Sequence, residues 1–319
     1  MPSSARLTAF AYPVAADRPG LGIAMVLLAV LGFSLLDGAV KFLGAVVPLL
    51  IVVWVRYAVQ AGVMAGWLAA TGGRANFRVA HPRFQVLRGA LLLLSSVLAY
   101  LGLQAMPVAE FTAITLLAPV MVTLLSPLLL RERVTALRWV LVLVAFAGAL
   151  IVIRPGSGLF GPAALYPLAL AASGAFFQIL TRRMASLEPP LTTHFCTGLV
   201  GMLLLTLVLP LSPTPLAPVV AELTALHWLL MLLAGLLGTV AHLAFIRAVS
   251  VAPMAVLMPF TYAQIAFAAV LGALLFAHLP DGWAILGMGI IAVSGAVSVW
   301  VNVTTGKPAV MAVDTTMGD

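Results

Sequence analysis

Apolar residues run along the chain in blocks of roughly twenty, each closed by charged residues or by Pro and Gly. At 1.5 Å per residue, such a block crosses about 30 Å of hydrocarbon as a helix. The blocks predict spans at Leu21–Leu43, Val47–Ala69, Phe84–Ala105, Val108–Leu130 and Ala136–Ile153. After a Gly/Pro break, Arg154 to Pro162, a second set follows at Ala163–Ala185, Leu191–Leu209, Ala225–Ile246, Ala252–Ala277 and Gly282–Val301. The expected fold is an all-α membrane protein of ten transmembrane helices.

Polar positions between the blocks test that count, because a wrong number of spans would scramble the distribution of basic residues. Alternate connectors put Arg6 and Arg18, then Arg74, Arg78, Arg83 and Arg88, then Arg131, Arg133 and Arg138, then Arg182 and Arg183, Arg247 and Lys307 on one side. The other side receives Arg154 and, near a helix end, Lys41. Positive charge marks the cytoplasmic face, so both termini are expected inside, in a bacterial-type inner membrane.

The two sets also resemble each other. Pro107-Val-Ala and Pro253-Met-Ala lie about 146 residues apart, each opening a span after a short connector. With five spans per set, an odd number, corresponding helices run in opposite directions. The reading is therefore a 5+5 inverted-topology repeat: a cytoplasmic tail at 1–20, a first five-helix unit at 21–153, a second at 163–301 and a cytoplasmic tail at 302–319. Many secondary transporters use such repeats to alternate access between two faces. A duplicated bundle that is merely stable would look the same.

Composition narrows the function. Of 319 residues, 63% are hydrophobic and 8% charged, whereas a soluble domain carries roughly a quarter charged residues. The net charge of +7 sits in connectors, as membrane orientation requires, so no nucleic-acid partner is expected. One cysteine, Cys196, excludes a disulfide framework. No P-loop, nucleophile elbow, HExxH or paired zinc motif occurs, so neither cofactor nor metal is expected.

The stretch Ala118-Pro-Val-Met-Val-Thr-Leu-Leu-Ser-Pro-Leu-Leu-Leu-Arg-Glu-Arg-Val-Thr, followed by Gly148-Ala-Leu-Ile-Val-Ile-Arg-Pro-Gly156, resembles the EamA type of the drug/metabolite transporter superfamily. That resemblance implies two five-helix repeats around a central cavity, and cargo drawn from amino acids, nucleotide derivatives, vitamins and drugs. The family's Glu after the fourth span stands here as Glu132, but the matching place after the ninth holds His278. Phe33-Ser-Leu-Leu-Asp-Gly-Ala-Val-Lys41 and Trp54-Val-Arg-Tyr57 are similar to a subgroup that includes S-adenosylmethionine and riboflavin importers.

Charge at membrane depth is costly unless paired or wetted, so ionisable residues inside spans are the sharpest functional signal. Asp37 and Lys41 are four apart on one helix face and able to pair. Arg56 lies at a similar depth to Asp37, with Trp54 and Tyr57 beside it, and Glu110 opens the fourth span. Pro119, one turn after Thr115, and Pro259, before Tyr262 and Gln264, interrupt corresponding spans, as helices that line a binding site do. Tyr100 with Gln104, and His242 with Phe245, share helix faces that could complete a pocket. Each of these residues has a structural alternative: an ion pair that fixes packing, a lysine that snorkels, a cap, a kink or a core aromatic. Gly62 and Gly66 form a small-xxx-small face expected to admit a neighbouring helix.

The function expected is secondary transport of a small organic solute in the lipid bilayer, with no enzyme activity. The pattern leaves room for proton coupling through Asp37 and Glu110, and for a homodimer. The alternatives are an intramembrane enzyme using Asp37, Glu110 and His242 as acid/base groups, or a sensor or assembly subunit that does not transport.

Overall fold

The computed structural model describes residues 18–73, 77–129, 135–156, 160–184, 187–212, 215–252 and 254–305. Glu132, Arg6, Arg74, Arg131, Arg133, Pro253, Lys307 and most of both tails lie outside them. The described residues form thirteen α-helices in this order: α1 (Pro19–Gly44), α2 (Leu49–Gly72), α3 (Pro82–Ala105), α4 (Val108–Thr115), α5 (Ala118–Leu129), α6 (Ala136–Ile153), α7 (Leu165–Met184), α8 (Pro190–Val208), α9 (Leu216–Glu222), α10 (Ala225–Val251), α11 (Met254–Thr261), α12 (Ala263–Phe276) and α13 (Gly282–Thr305). Among the described residues, eight apolar stretches are long enough to cross a membrane, and two shorter ones, Trp139–Ile153 and Gly282–Ser298, accompany them.

The polarity of the molecule is inverted relative to a soluble protein. Leu143, Leu207, Leu274 and Trp300 are among many large apolar side chains on the outside, while Ser34, Gln60, Arg88, Ser96, Glu110 and Thr197 are buried. A chain solvated by lipid gains nothing by hiding leucine and must instead satisfy its polar groups internally.

Two spans expected to be continuous are broken. The fourth divides at Leu116 and Leu117 into α4 and α5, and the ninth divides at Tyr262 into α11 and α12. Proline causes the first break: Pro119, at the second position of α5, has no N–H to give the preceding turn, and Thr115 turns its hydroxyl back to the Thr112 carbonyl at 2.8 Å. In the second, Pro259 sits inside α11, Tyr262 N–H reaches the Pro259 carbonyl at 3.3 Å and Thr261 bonds the Met258 carbonyl at 2.6 Å. The short helix α9 occupies what read as a plain connector.

Helices from the first and second parts of the chain interleave. α1 packs on α10 and on the broken α11–α12 pair, while α7 packs on α3 and on the broken α4–α5 pair. α2 packs on α8 and α10, α8 also on α3, α6 on α13 and α4 on α12. Glycine sets the closest approaches. A Cβ on Gly287 would lie 2.6 Å from the Gly148 carbonyl oxygen, so the α6–α13 crossing is backbone on backbone. Gly201 of α8 likewise makes room for the Tyr57 ring. The expected role of Gly62 and Gly66 is corrected: both are exposed and a Cβ on either would meet nothing within 4 Å, because their face of α2 points away from the bundle.

The α6–α13 pair is also clamped at one end. Asp281 Oδ1 accepts the Ala284 N–H at 2.8 Å, capping the start of α13, and its Oδ2 pairs with Arg154 NH1 at 2.7 Å, at the end of α6. Arg154 takes a left-handed φ of 48° to do so. The Ala284 amide and then the Arg154 guanidinium hold the Asp281 carboxyl below its ordinary value.

Gly287→Ala is expected to destabilise the protein by about 1–3 kcal/mol through overpacking, read as a lower Tm in detergent, whereas Gly289→Ala, with open space around it, leaves Tm unchanged. The lowered carboxyl of Asp281 stabilises the fold above the ordinary aspartate value of 3.8, and that contribution is lost as pH falls through its still lower folded value. The Tm deficit of Asp281→Ala at neutral pH should therefore shrink on acidification. A deficit indifferent to pH would rule out the ionic origin.

Candidate functional site

At the depth where α1 and α2 each lie about two turns from their connector, polar groups from several helices meet. Asp37 of α1 is partly exposed and lies beside the Gln264 side chain of α12 and the positive charge of Arg56. Ser34, one turn before it, donates to the Gln264 carbonyl at 3.3 Å. Arg56 NH2 donates to Ser96 Oγ of α3 at 2.7 Å, and its guanidinium lies 5.0 Å from the Tyr57 ring. Asp37 and Arg56 are thus electrostatic neighbours, but no ion pair within 4.0 Å joins them. Arg56 is held by a neutral partner from another helix.

Ser96 uses its full bonding capacity. Its one hydrogen goes to the Leu92 carbonyl at 2.8 Å, leaving two lone pairs for Arg56 and for Tyr57 Oη at 2.8 Å. Tyr57 must then be the donor. Its ring is fully buried, so it acts as a strut that sets Ser96 and Arg56 in place.

Further along the bundle lies a cationic and aromatic column. The His242 ring of α10 meets Phe33 edge-on at 4.8 Å and stacks on His194 of α8 at 5.4 Å. His242 Nδ1 lies 2.8 Å from the Gly238 carbonyl, which only accepts, so Nδ1 carries the hydrogen. Gln60 of α2 reaches His194 Nδ1 at 3.3 Å and its carbonyl at 3.0 Å. Arg88 of α3 completes the group: Nε donates to Thr181 at 2.8 Å, NH1 bonds the Thr193 carbonyl at 3.3 Å and Thr197 Oγ1, and Phe177 lies 4.4 Å under the guanidinium.

Arg88, Gln60, Ser96 and His194 are the residues that sequence reasoning missed. Arg88 read as a connector charge, yet α3 begins at Pro82 and carries it more than a turn inward to 8% exposure. Thr193 and Thr197, one turn apart on α8, were the available signal, because hydroxyls at that spacing present a ladder of acceptors.

The remaining candidates are drawn to other places. Lys41 turns away from Asp37: its Nζ bonds the Leu103 and Met106 carbonyls at 2.5 and 2.8 Å, capping the end of α3. Gln104 bonds the Val40 and Lys41 carbonyls, both at 3.3 Å. Tyr100 ties down the α1–α2 connection through Gly44 O at 3.2 Å and Val47 O at 2.7 Å. Trp54 bonds Thr206 at 2.8 Å on the α2–α8 seam. Thr115, Pro119, Pro259 and Tyr262 belong to the helix breaks, with the Tyr262 ring against Gly295. Glu110, almost wholly buried, contacts His278 at 3.0 Å beside a cavity of about 280 Å³ lined by Lys41, Gln104, Phe276 and His278. Glu110 therefore lies in a group apart from Asp37 and His242, both of which face the Arg56 charge.

Comparison with known proteins gives the family. The EamA-like transporter family matches residues 20–154. The chain is 29% identical to a riboflavin transporter of Vibrio cholerae over 88% of its own length and 93% of that protein's. It is 30% identical to a riboflavin transporter of Rhizobium johnstonii, covering 69% and 70%, and 25% identical to an S-adenosylmethionine uptake transporter of Rickettsia prowazekii, covering 85% and 89%. A lipid-solvated helical bundle with buried polar groups, matched along most of its length by metabolite carriers, identifies the chain as a member of the EamA-like transporter family, a multi-pass inner-membrane transporter of small metabolites.

Proposed function

We propose that the chain moves a small heteroaromatic or zwitterionic metabolite by alternating access, with two inverted five-helix halves, 21–153 and 163–301, rocking about the layer formed by Asp37, Arg56, Ser96 and Gln264. The observation that carries this reading is the composition of that layer: α1, α2 and α3 supply Asp37, Arg56 and Ser96, and α12 supplies Gln264. A solute bound there touches both halves, so its affinity changes when they move, as any ligand that drives a transition requires.

The packing supports the repeat. Numbering the ten spans in order and exchanging each with the one five later turns the α1–α10 contact into α7–α3, and α3–α8 into α10–α2. The same exchange returns α2–α8, α6–α13 and α4–α12 to themselves. The breaks at Leu116 and Tyr262 obey the offset of about 146 residues seen in the sequence. Basic residues concentrated where α3 begins and where α7 and α10 end support cytoplasmic termini.

The cargo class follows from the side chains. Asp37 and Arg56 offer one charge of each sign, and Phe33, His242 and His194 offer ring faces and edges. Riboflavin and S-adenosylmethionine, named for the relatives, both carry a heteroaromatic ring and hydroxyls, and the second adds an amino-acid end. Protonation of Asp37 is the proposed route of coupling to a pH gradient.

Proteoliposomes given labelled riboflavin, S-adenosylmethionine and amino acids, by counterflow and under a pH gradient, are expected to accumulate at least one. Arg56→Ala and Asp37→Asn should each cut that flux by roughly 10–100-fold, the value of one charge-assisted hydrogen bond, while Trp54→Phe transports normally. Absence of flux for every compound, or an Arg56→Ala variant at full rate, would sink this reading.

A further inference from the structure

Two connections between the first and second parts of the chain pair a glutamate with a histidine at opposite ends of the bundle. At one end, Glu110 of α4 lies 3.0 Å from His278 Nε2, in the connector after α12. At the other, Glu188, in the connector before α8, accepts the His81 backbone N–H at 2.7 Å and lies 3.5 Å from His81 Nδ1. The 24 residues of α3 separate them, about 36 Å at the helical rise.

Each pair couples a hidden acid to an exposed base. The carboxylates are 4% and 1% exposed and their histidines 41% and 39%. The second oxygen of Glu110 is buried without a partner. A packing bridge would spend that oxygen on a donor. An acid kept incomplete behind an imidazole that reaches solvent is instead arranged to take up a proton relayed through that imidazole.

We propose that Glu110–His278 and Glu188–His81 are two proton-binding latches, one at each end of the transport path, and that proton uptake at one end releases the halves at that end alone. The inference rests on the alternating-access reading above. While Glu110 is ionised it only accepts, so His278 Nε2 carries the hydrogen, and an imidazolium strengthens the bond. A proton added to the carboxylate leaves a neutral acid beside that cation, and the attraction between the halves is lost. At Glu188 the same change removes the attraction to the His81 ring and weakens the backbone hydrogen bond.

The surrounding charges act in the same sense. Glu110 also faces Lys41 of α1, whose ammonium strengthens the closed state only while Glu110 is ionised. At that end Arg154 and Asp281 are bonded to each other, and among the described residues α3 and α7 bring the neutral Tyr100, Gln104 and Tyr166. Glu188 faces His81 and the Cys196 thiol of α8, with Arg78 and Arg83 flanking His81 in sequence. Both latches are closed here.

The test uses buried thiols as reporters in full-length protein in lipid nanodiscs, where both faces meet one buffer. Native Cys196 reports the Glu188 end. Val108→Cys, in a Cys196→Ala background, reports the Glu110 end, because Val108 lines the cavity and is 1% exposed. Maleimide labelling is normalised to the exposed Glu222→Cys, and Glu188→Asp, which keeps the charge but draws it back from His81, separates opening from the direct effect of Glu188 on the Cys196 thiol: it too should speed labelling if the latch holds that end closed. Normalised labelling at both reporters should not rise while acidification protonates only the imidazole, which strengthens each latch, and should rise on further acidification once the carboxylate takes up its proton. Glu188→Gln should speed labelling of Cys196 on the order of tenfold at neutral pH, the worth of one charge-assisted hydrogen bond, and leave Val108→Cys slow, while Glu110→Gln does the reverse.

Flat pH profiles in the proteins with intact latches would overturn the proposal without any latch variant. So would either Gln variant exposing both reporters equally. His278→Gln, which keeps a neutral donor, should open its end less than Glu110→Gln, and equal opening would count against the ionic latch. Because labelling needs no cargo, latches that respond in a protein moving none of the tested solutes would leave this inference standing while the transport reading fails.

Discussion

An unsatisfied polar group in hydrocarbon costs several kcal/mol, and the arrangement of this molecule follows from that penalty. Lipid competes for leucine as well as any protein core does, so apolar contact alone does not decide which helix face turns inward. Polar side chains decide it. Gln60, Ser96, Arg88, Thr193 and Thr197 are buried because their partners are on other helices, and the helices meet where those bonds can be made. The groups that hold the bundle together are thus also those that line its interior.

Small residues set how near the helices come. Gly148 against Gly287 brings two backbones together, and Gly201 accepts a tyrosine ring that in turn orients Ser96. The path from sequence to chemistry is short here: a missing side chain on α8 lets Tyr57 lie flat, its hydroxyl fills a serine lone pair, and the serine fixes the guanidinium of Arg56.

How much of this could be read from the sequence depends on direction. Depth along a helix was legible, since each residue advances 1.5 Å, and the placing of Asp37 and Arg56 at one level follows from counting. Rotation about the helix axis was not, because both the lipid-facing and the protein-facing sides are apolar. Hence Lys41, four residues after Asp37, looked like its partner but reaches carbonyls on α3, and Gly62 with Gly66 looked like a seam but faces outward. Arg88 failed for another reason: a positive charge near a span end reads equally as a topology signal or a buried anchor, and only the hydroxyls of α7 and α8, some hundred residues distant, distinguish the two. The pairing of His81 with Glu188 joins positions 107 apart in two connectors and left no local trace.

The saturation of Ser96 has a consequence for energetics. A guanidinium has five N–H donors, and only one of Arg56's is spent on that serine. If cargo binds where proposed, it would add bonds to a cation already aimed and already anchored, without first dissolving its anchorage. Recognition there would proceed by addition instead of exchange, with little of the binding energy consumed in rebuilding the host.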